Sequence, residues 1–251
     1  MKFNGIDPNT LHRGISIAKE IPPGTVTSQL ETVSGSTGEI VVGRTIKQGE
    51  YIVRVNIAGK YRAQAWEIRK LLAGWARGTD QTTCELIPTH WPDVHYDAIL
   101  KEVSPPEFNF GFGMIDVVFA IPRPIAVENA VKTAGNMNSG TLRPVIGGSS
   151  HARPTIFAYC KGGTGLYLNV DAKNYLRLTG TFLEGEYVEI STNPPGVRIR
   201  STDGVWTEAN DRIDYTKTKF QALAEAFTPG EHSVMCPQAS QLRMEWRDEW
   251  L

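Results

Sequence analysis

Residues 49–57 read Gly-Glu-Tyr-Ile-Val-Arg-Val-Asn-Ile: Tyr51, Val53, Val55 and Ile57 take alternate positions, with Arg54 and Asn56 between them. Side chains along a strand point to opposite faces in turn, so a period of two predicts a half-buried strand. The same period returns downstream. Phe108, Phe110 and Phe112 alternate, and Ile115, Val117, Phe119 and Ile121 follow in step. Gly111 and Gly113 weaken a continuous strand there, so 107–121 is expected as one long kinked strand or a strand pair. Between the two stretches the period changes. Ile68, Leu71, Leu72 and Trp75 sit at i, i+3, i+4 and i+7, and Ala65 and Tyr61 extend the stripe backwards. That spacing predicts a helix over 63–77, stopped by Gly78, with Trp66 and Trp75 packed and Glu67, Arg69 and Lys70 facing water. A helix this short is stabilised by packing, and a sheet is the surface on offer.

Residues 130–141 (AVKTAGNMNSGT) lose periodicity and become small and polar, which predicts a linker between domains at 1–132 and 133–251. Beyond it, strand signals appear at 155–159, 166–170, 175–178, 187–190, 197–200, 234–236 and 242–246. Turn signals separate them, among them Gly162-Gly163-Thr164-Gly165, Glu184-Gly185 and Asp203-Gly204. Many short strands with regular turns predict a β-sandwich. Phe220, Leu223, Ala224 and Phe227 suggest one brief helical turn. The expected fold class is mainly β: an N-terminal β-sandwich-like domain with one packed α-helix, then a C-terminal β-sandwich.

Charge narrows the function classes. With 27 acidic and 26 basic residues among 251, no broad phosphate-binding field is expected, and nucleic acid is an unfavoured partner. Arg198 and Arg200, like Lys217 and Lys219, read as solvated positions. The apolar run 117–121 is too short to span a bilayer, and 1–10 lacks a signal-peptide core. Cys84, Cys160 and Cys236 are widely spaced and read as isolated buried thiols.

Four strings invite a catalytic or ligand-binding reading. Glu184-x-Glu186-x-x-Glu189 resembles the paired carboxylates of sandwich glycosidases, but strand alternation puts Glu189 on the opposite face, and Gly185 marks an ordinary turn. His90 and His95 bracket Asp93 without a third His or Cys nearby to complete a metal site. Ser149-Ser150-His151 lacks the nucleophile elbow, and Gly162–Gly165 lacks the Lys-Ser/Thr of a phosphate loop. The expectation is a non-enzymatic protein with no catalytic residue, metal or cofactor. Trp206, beside the Asp203-Gly204 turn, is the candidate contact for a sugar ring or a protein partner, with core packing the plainer alternative.

The order of these signals resembles the distal tail proteins of long-tailed (siphovirus-type) phages, the phage tail component family. The resemblance lies in Phe3-Asn4-Gly5-Ile6-Asp7, in 49–55, in Leu71-Leu72-Ala73-Gly74-Trp75, in Leu86…Pro92…Tyr96-Asp97-Ala98, and in the strand closing at Phe119. In the second half it lies in Asn138-x-Gly140, Ala152-Arg153-Pro154-Thr155-Ile156, Leu183–Glu186, and Leu223…Phe227-Thr228-Pro229-Gly230-Glu231-His232. Ile121-Pro122-Arg123-Pro124 departs from it, since the family more often ends this strand with Asp-Pro-aromatic. The resemblance implies a structural protein of the virion tail tip, made in the host cytoplasm. It implies a hexameric ring built by the first domain and a galectin-like second domain facing outwards. Its implied partners are the tail tube protein, tail-associated and receptor-binding proteins and, through the second domain, a host cell-wall saccharide. A ring needs an interface that closes, and residues 24–45, rich in Thr, Ser and Gly, are the expected inter-subunit arm, with Thr25, Leu30, Ile40, Val42 and Arg44 as its candidate contacts.

Overall fold

The structure, a computed structural model, describes residues 1–23, 27–32, 39–45, 49–78, 83–109, 111–136 and 139–251. The chain divides into two compact units, residues 1–127 with Leu251 and residues 128–250.

The first unit contains β1 (Lys2–Phe3), β2 (Ile15–Ile21), β3 (Thr27–Thr32), β4 (Glu39–Thr45), β5 (Gly49–Ala58), α1 (Ala65–Arg77), β6 (Cys84–Ile87), β7 (Val94–Val103), β8 (Glu107–Asn109) and β9 (Phe112–Ile121). Its main sheet is antiparallel in the order β1-β6-β7-β9-β5-β2. The two alternating stretches of sequence are neighbours in it. Tyr51 pairs with Phe119, Val53 with Val117 and Val55 with Ile115, and all six are buried. Matching period and matching face are what fix this register, because a slip of one residue turns every apolar group outwards.

Helix α1 lies on β7 and β9. Ala65, Ile68, Leu72, Trp75 and Ala76 form its buried track. Trp75 packs edge-on at 5.9 Å from both Phe3 and Phe119, and its indole N–H donates to the Ile6 carbonyl at 3.1 Å. Two expectations fail here. Leu71 is 46% exposed and Trp66 59% exposed. The buried track is narrower than the apolar stripe, so Leu71, one residue's rotation from Leu72, falls beyond it. Trp66 stays at the surface under Arg69, whose guanidinium sits 5.8 Å from the ring and donates to the Val103 and Ser104 carbonyls. Gly78 ends the helix with φ 65°, a conformation that suits glycine.

The 107–121 stretch is a strand pair. β8 folds back on β9 with Phe108 opposite Gly113, and the chain reverses through Gly111 at φ 98°. Phe108 and Phe112 are each 40% exposed, and Phe110 lies outside the described residues, so this aromatic alternation does not mark core.

Strand β10 (Ala126–Glu128) spans the change of unit. The second unit follows with β11 (Lys132–Asn136), β12 (Thr141–Leu142), β13 (Val145–Ile146), β14 (Thr155–Val170), β15 (Lys173–Thr192), β16 (Pro195–Arg200), β17 (Trp206–Glu208), α2 (Phe220–Glu225), β18 (Gly230–Glu231), β19 (Val234–Met235) and β20 (Ala239–Trp246). Part of the stretch expected as a linker is strand: β11 pairs with β20 from Lys132–Trp246 to Asn136–Leu242. Small polar residues are enough for an edge strand, where the backbone ladder supplies the pairing. Lys132 anchors it, with its ammonium 2.5 Å from the buried Asp248 and 3.2 Å from Glu128.

The main sheet runs β11-β20-β14-β15-β16-β17. The four signals at 155–159, 166–170, 175–178 and 187–190 merge into one long hairpin, β14–β15. It turns at Asp171 and Ala172, both with positive φ. Glycines 162, 163, 165, 180 and 185 also have positive φ, and the pairing register shifts at Tyr159/Lys161 and Thr164/Leu166. The glycine-rich strings are therefore bulges that bend a continuous hairpin, not turns that end strands. Bent this way, the sheet encloses a single core that includes Ile156, Leu168, Leu176, Val188, Val197 and Phe227. Cys84, Cys160 and Cys236 are all buried thiols outside any disulfide, and burial pushes the Cys160 and Cys236 thiols up to about 12.

Candidate functional site

Two features of the fold carry the candidate contact residues. One is the solvent face of the second unit's sheet. Along β14 and β15 the odd positions point away from the core, so Phe157, Tyr159, Tyr187 and Glu189 share this face with Arg198 and Arg200 of β16, Trp206 and Glu208 of β17, and Arg243 and Glu245 of β20. The rings form a connected track. Phe157 stacks on Tyr187 at 5.5 Å, Tyr159 meets Tyr187 at 4.5 Å, and Tyr187 meets Trp206 edge-on at 5.7 Å. Tyr159 is 40% and Trp206 39% exposed, whereas Phe157 is buried beneath its neighbours.

The charged groups of this face are held in place. Arg198 binds Glu189 at 2.5 Å and lies 5.1 Å from the Trp206 ring centre. Arg243 lies 4.5 Å from the Phe157 ring centre, donates to the Tyr187 hydroxyl at 3.3 Å and pairs with Glu245 at 3.3 Å. The Arg200 guanidinium donates to the Gly204 carbonyl at 3.2 Å. Burial raises the pKa of Tyr187, so its hydroxyl stays protonated. Beside the track opens a groove of about 360 Å³, lined in part by Glu189, Pro194, Arg198, Glu208 and Asn210. Trp206 is thus one member of a group. Its companions Tyr159 and Tyr187 leave a weaker sequence signal, aromatic rings on the outward positions of alternating strands, which does not by itself bring them to Trp206.

The second feature is the β3–β4 hairpin of the first unit. Its strands pair with each other from Thr27–Thr45 to Thr32–Glu39, with a register shift after Gln29, and they form a separate two-stranded sheet. Of the five residues expected to make inter-subunit contacts, Leu30 lies on β3 and Ile40, Val42 and Arg44 on β4. Thr25 lies outside the described residues.

The other strings do not come together as sites. Glu186 accepts from the Leu183 N–H at 2.9 Å within its own bend, and Glu189 faces Arg198 across the sheet. His90 points towards Glu20 at 3.9 Å, while His95 is buried on β7. Among the described residues no three His, Cys, Asp or Glu converge as a metal site. The Ser149 and Ser150 N–H groups donate to the Glu249 carbonyl, and His151 is exposed.

No protein-family model matches this sequence. No curated protein matches it either. By structure, the chain is similar to the SPP1 Dit (gp 19.1) protein, described as a paradigm of hub adsorption apparatus in Gram-positive infecting phages. The TM-score is 0.73 at 11% identity, covering 100% of this chain and 98% of that one. It is also similar to a chain of the phage P2 baseplate in its activated conformation with Ca (TM-score 0.53, 12% identity, 94% of this chain and 90% of that one). A chain of the same baseplate with Sr gives a TM-score of 0.50 at 11% identity, covering 93% and 90%. The chain therefore has, over its whole length, the mainly β fold of the SPP1 Dit protein.

Proposed function

We propose that this chain is a structural, non-enzymatic hub of a phage tail tip or baseplate. In this reading the first unit assembles a hexameric ring, and the second stands at the periphery as a galectin-like domain. The hub joins the tail tube to tail-associated and receptor-binding proteins of the virion. The observation that supports it is the fold likeness to the SPP1 Dit protein across the entire chain. The β3–β4 hairpin supplies a physical means. A two-stranded ribbon offers backbone donors and acceptors along its edges, and an edge that pairs with the next copy makes a head-to-tail contact, which closes into a ring if the rotation allows.

Negative-stain microscopy and mass photometry of the purified chain test this reading, with rings expected. Replacing residues 24–48 by a short Gly-Ser linker separates the arm from the hub. The hairpin's base is narrow, since a Cβ built on Gly49 would lie 2.3 Å from the Pro23 Cβ, so a short linker spans it. The linker variant is expected to keep its secondary structure and lose its rings. Rings that persist in the variant refute the arm, and a parent chain that never assembles refutes the hub.

A further inference from the structure

The outward side of α1 carries a residue that the packing of this chain does not call for. Gly74 lies within the helix, is exposed, and does not take a positive φ. A Cβ built on it would meet nothing within 4 Å. Glycine inside a helix costs stability relative to alanine, and here neither a turn nor a close neighbour in the chain requires it. What such a position does permit is close approach by a backbone from outside. At 100° per residue, Trp66, Lys70, Gly74 and Arg77 share the side of the helix that faces away from Ile68, Leu72 and Trp75, with Leu71 at its edge. Trp66 is 59% and Leu71 46% exposed. Arg62, Lys70 and Arg77 are exposed here against one acid, Glu67, so this side has net positive charge. Exposed tryptophan and arginine are residues that protein interfaces favour.

A matching surface lies on the other face of the same sheet. α1 packs on β7 and β9 with Trp75 against Phe3 and Phe119. Phe3 is paired with Leu86, and Leu86 with Tyr96, all three buried. Side chains alternate along a strand, so Glu85 and Ile87 of β6 and Asp97 and Ile99 of β7 point away from the helix. Glu85 and Asp97 are exposed and directly opposite each other, a like-charged pair that destabilises a sheet left to itself. Lys2, diagonal to Glu85, offsets one of the two charges. Ile87 and Ile99 are partly exposed beside them.

We propose that the outward side of α1 in one copy of this chain packs on the outer β6–β7 face of the next copy, with Gly74 at the point of closest approach. Trp66 and Leu71 then cover Ile87 and Ile99, and Lys70 and Arg77 meet the Glu85–Asp97 pair. This contact rests on the hub reading and adds to the β3–β4 arm a second link between neighbours. Its two halves are unlike and lie on opposite sides of one sheet, the arrangement a head-to-tail ring needs. A two-fold dimer would instead set each surface on its own copy, cation against cation.

The test is sedimentation velocity of the full chain over a range of concentrations, with thermal melts by circular dichroism beside it. Gly74→Leu separates folding from assembly. Leucine favours the helix and meets nothing in the chain, so the melting midpoint holds or rises. The concentration for half-assembly meanwhile rises by roughly ten- to a hundred-fold, the weight of an overpacked contact. Trp66→Ala raises it by roughly ten-fold, as loss of a central interface tryptophan does. Lys70→Glu and Asp97→Lys each weaken assembly, and the two combined in one chain restore it in large part, a recovery that damage to the fold does not produce. If the parent assembles and Gly74→Leu and Trp66→Ala assemble equally well, the contact is overturned and the hub reading stands. A lowered midpoint for Gly74→Leu, or a combined charge variant weaker than either single one, overturns the contact too. A parent that stays monomeric refutes the hub reading and the contact with it.

Discussion

Leu71 and Leu72 are adjacent, chemically identical and both on the apolar stripe read from the sequence, yet Leu72 is fully buried and Leu71 is 46% exposed. Truncating each to alanine measures where α1 meets its sheet. Leu72→Ala removes a side chain seated with Ile68 and Trp75 against β7 and β9, and is expected to cost about 2–5 kcal/mol in lost transfer energy and cavity. Leu71→Ala removes a half-solvated group and keeps helix propensity, so its cost stays within about 0.5 kcal/mol. With a urea slope of about 1–3 kcal/mol/M, a loss of ~3 kcal/mol lowers the midpoint of the first unit by about 1–3 M. Hydrogen exchange read by mass spectrometry on peptides from 65–77 assigns the loss to this unit, which matters in a chain whose two units need not unfold together. Equal losses for the two variants, or a larger one for Leu71→Ala, would show that the helix presents another face to the sheet.

Other expectations follow from single sites. Cys160 and Cys236, whose thiols burial pushes up to about 12, should resist aromatic disulfide reagents at pH 8 in the native chain and react at once in denaturant. Burial alone would raise the Glu20 carboxyl, but hydrogen bonds from Thr89 and from the Tyr51 hydroxyl hold it below its ordinary value of 4.5. A lowered folded value means that its contribution is full above the unfolded value and lost as pH falls through the folded one. Acid titrations of stability should therefore be flatter below pH 4.5 for Glu20→Gln than for the parent. Ala172 has φ 63° in the tight β14–β15 turn, so Ala172→Gly should relieve about 1 kcal/mol of strain, partly offset by added unfolded-state entropy, and raise the melting midpoint slightly.

Much of the fold was legible because period and burial coincide. The stretch 49–57, its partner 115–121 and the helix between them each show one clear repeat, and each became a core element. The second unit was legible as β but not as one bent hairpin. Lys161–Gly165 and Glu184-Gly185 have turn composition, and only the pairing across the sheet shows that positive-φ glycines here form bulges within continuous strands. The 130–141 stretch misled for the opposite reason: an edge strand supported by β20 needs no apolar period of its own. At the aromatic face, Trp206 drew notice as a lone residue. Tyr159, Tyr187 and Arg243 come from strands far apart in sequence and converge only through the β20-β14-β15-β16-β17 order.

The central claim is that the chain assembles as a hub, and the mass of the purified protein in solution tests it most directly. Mass photometry over a range of concentrations should show a species of six times the 27.7 kDa chain, or a stack of such rings, with six-fold symmetry in negative stain. A chain that remains at 27.7 kDa at every concentration contradicts the account.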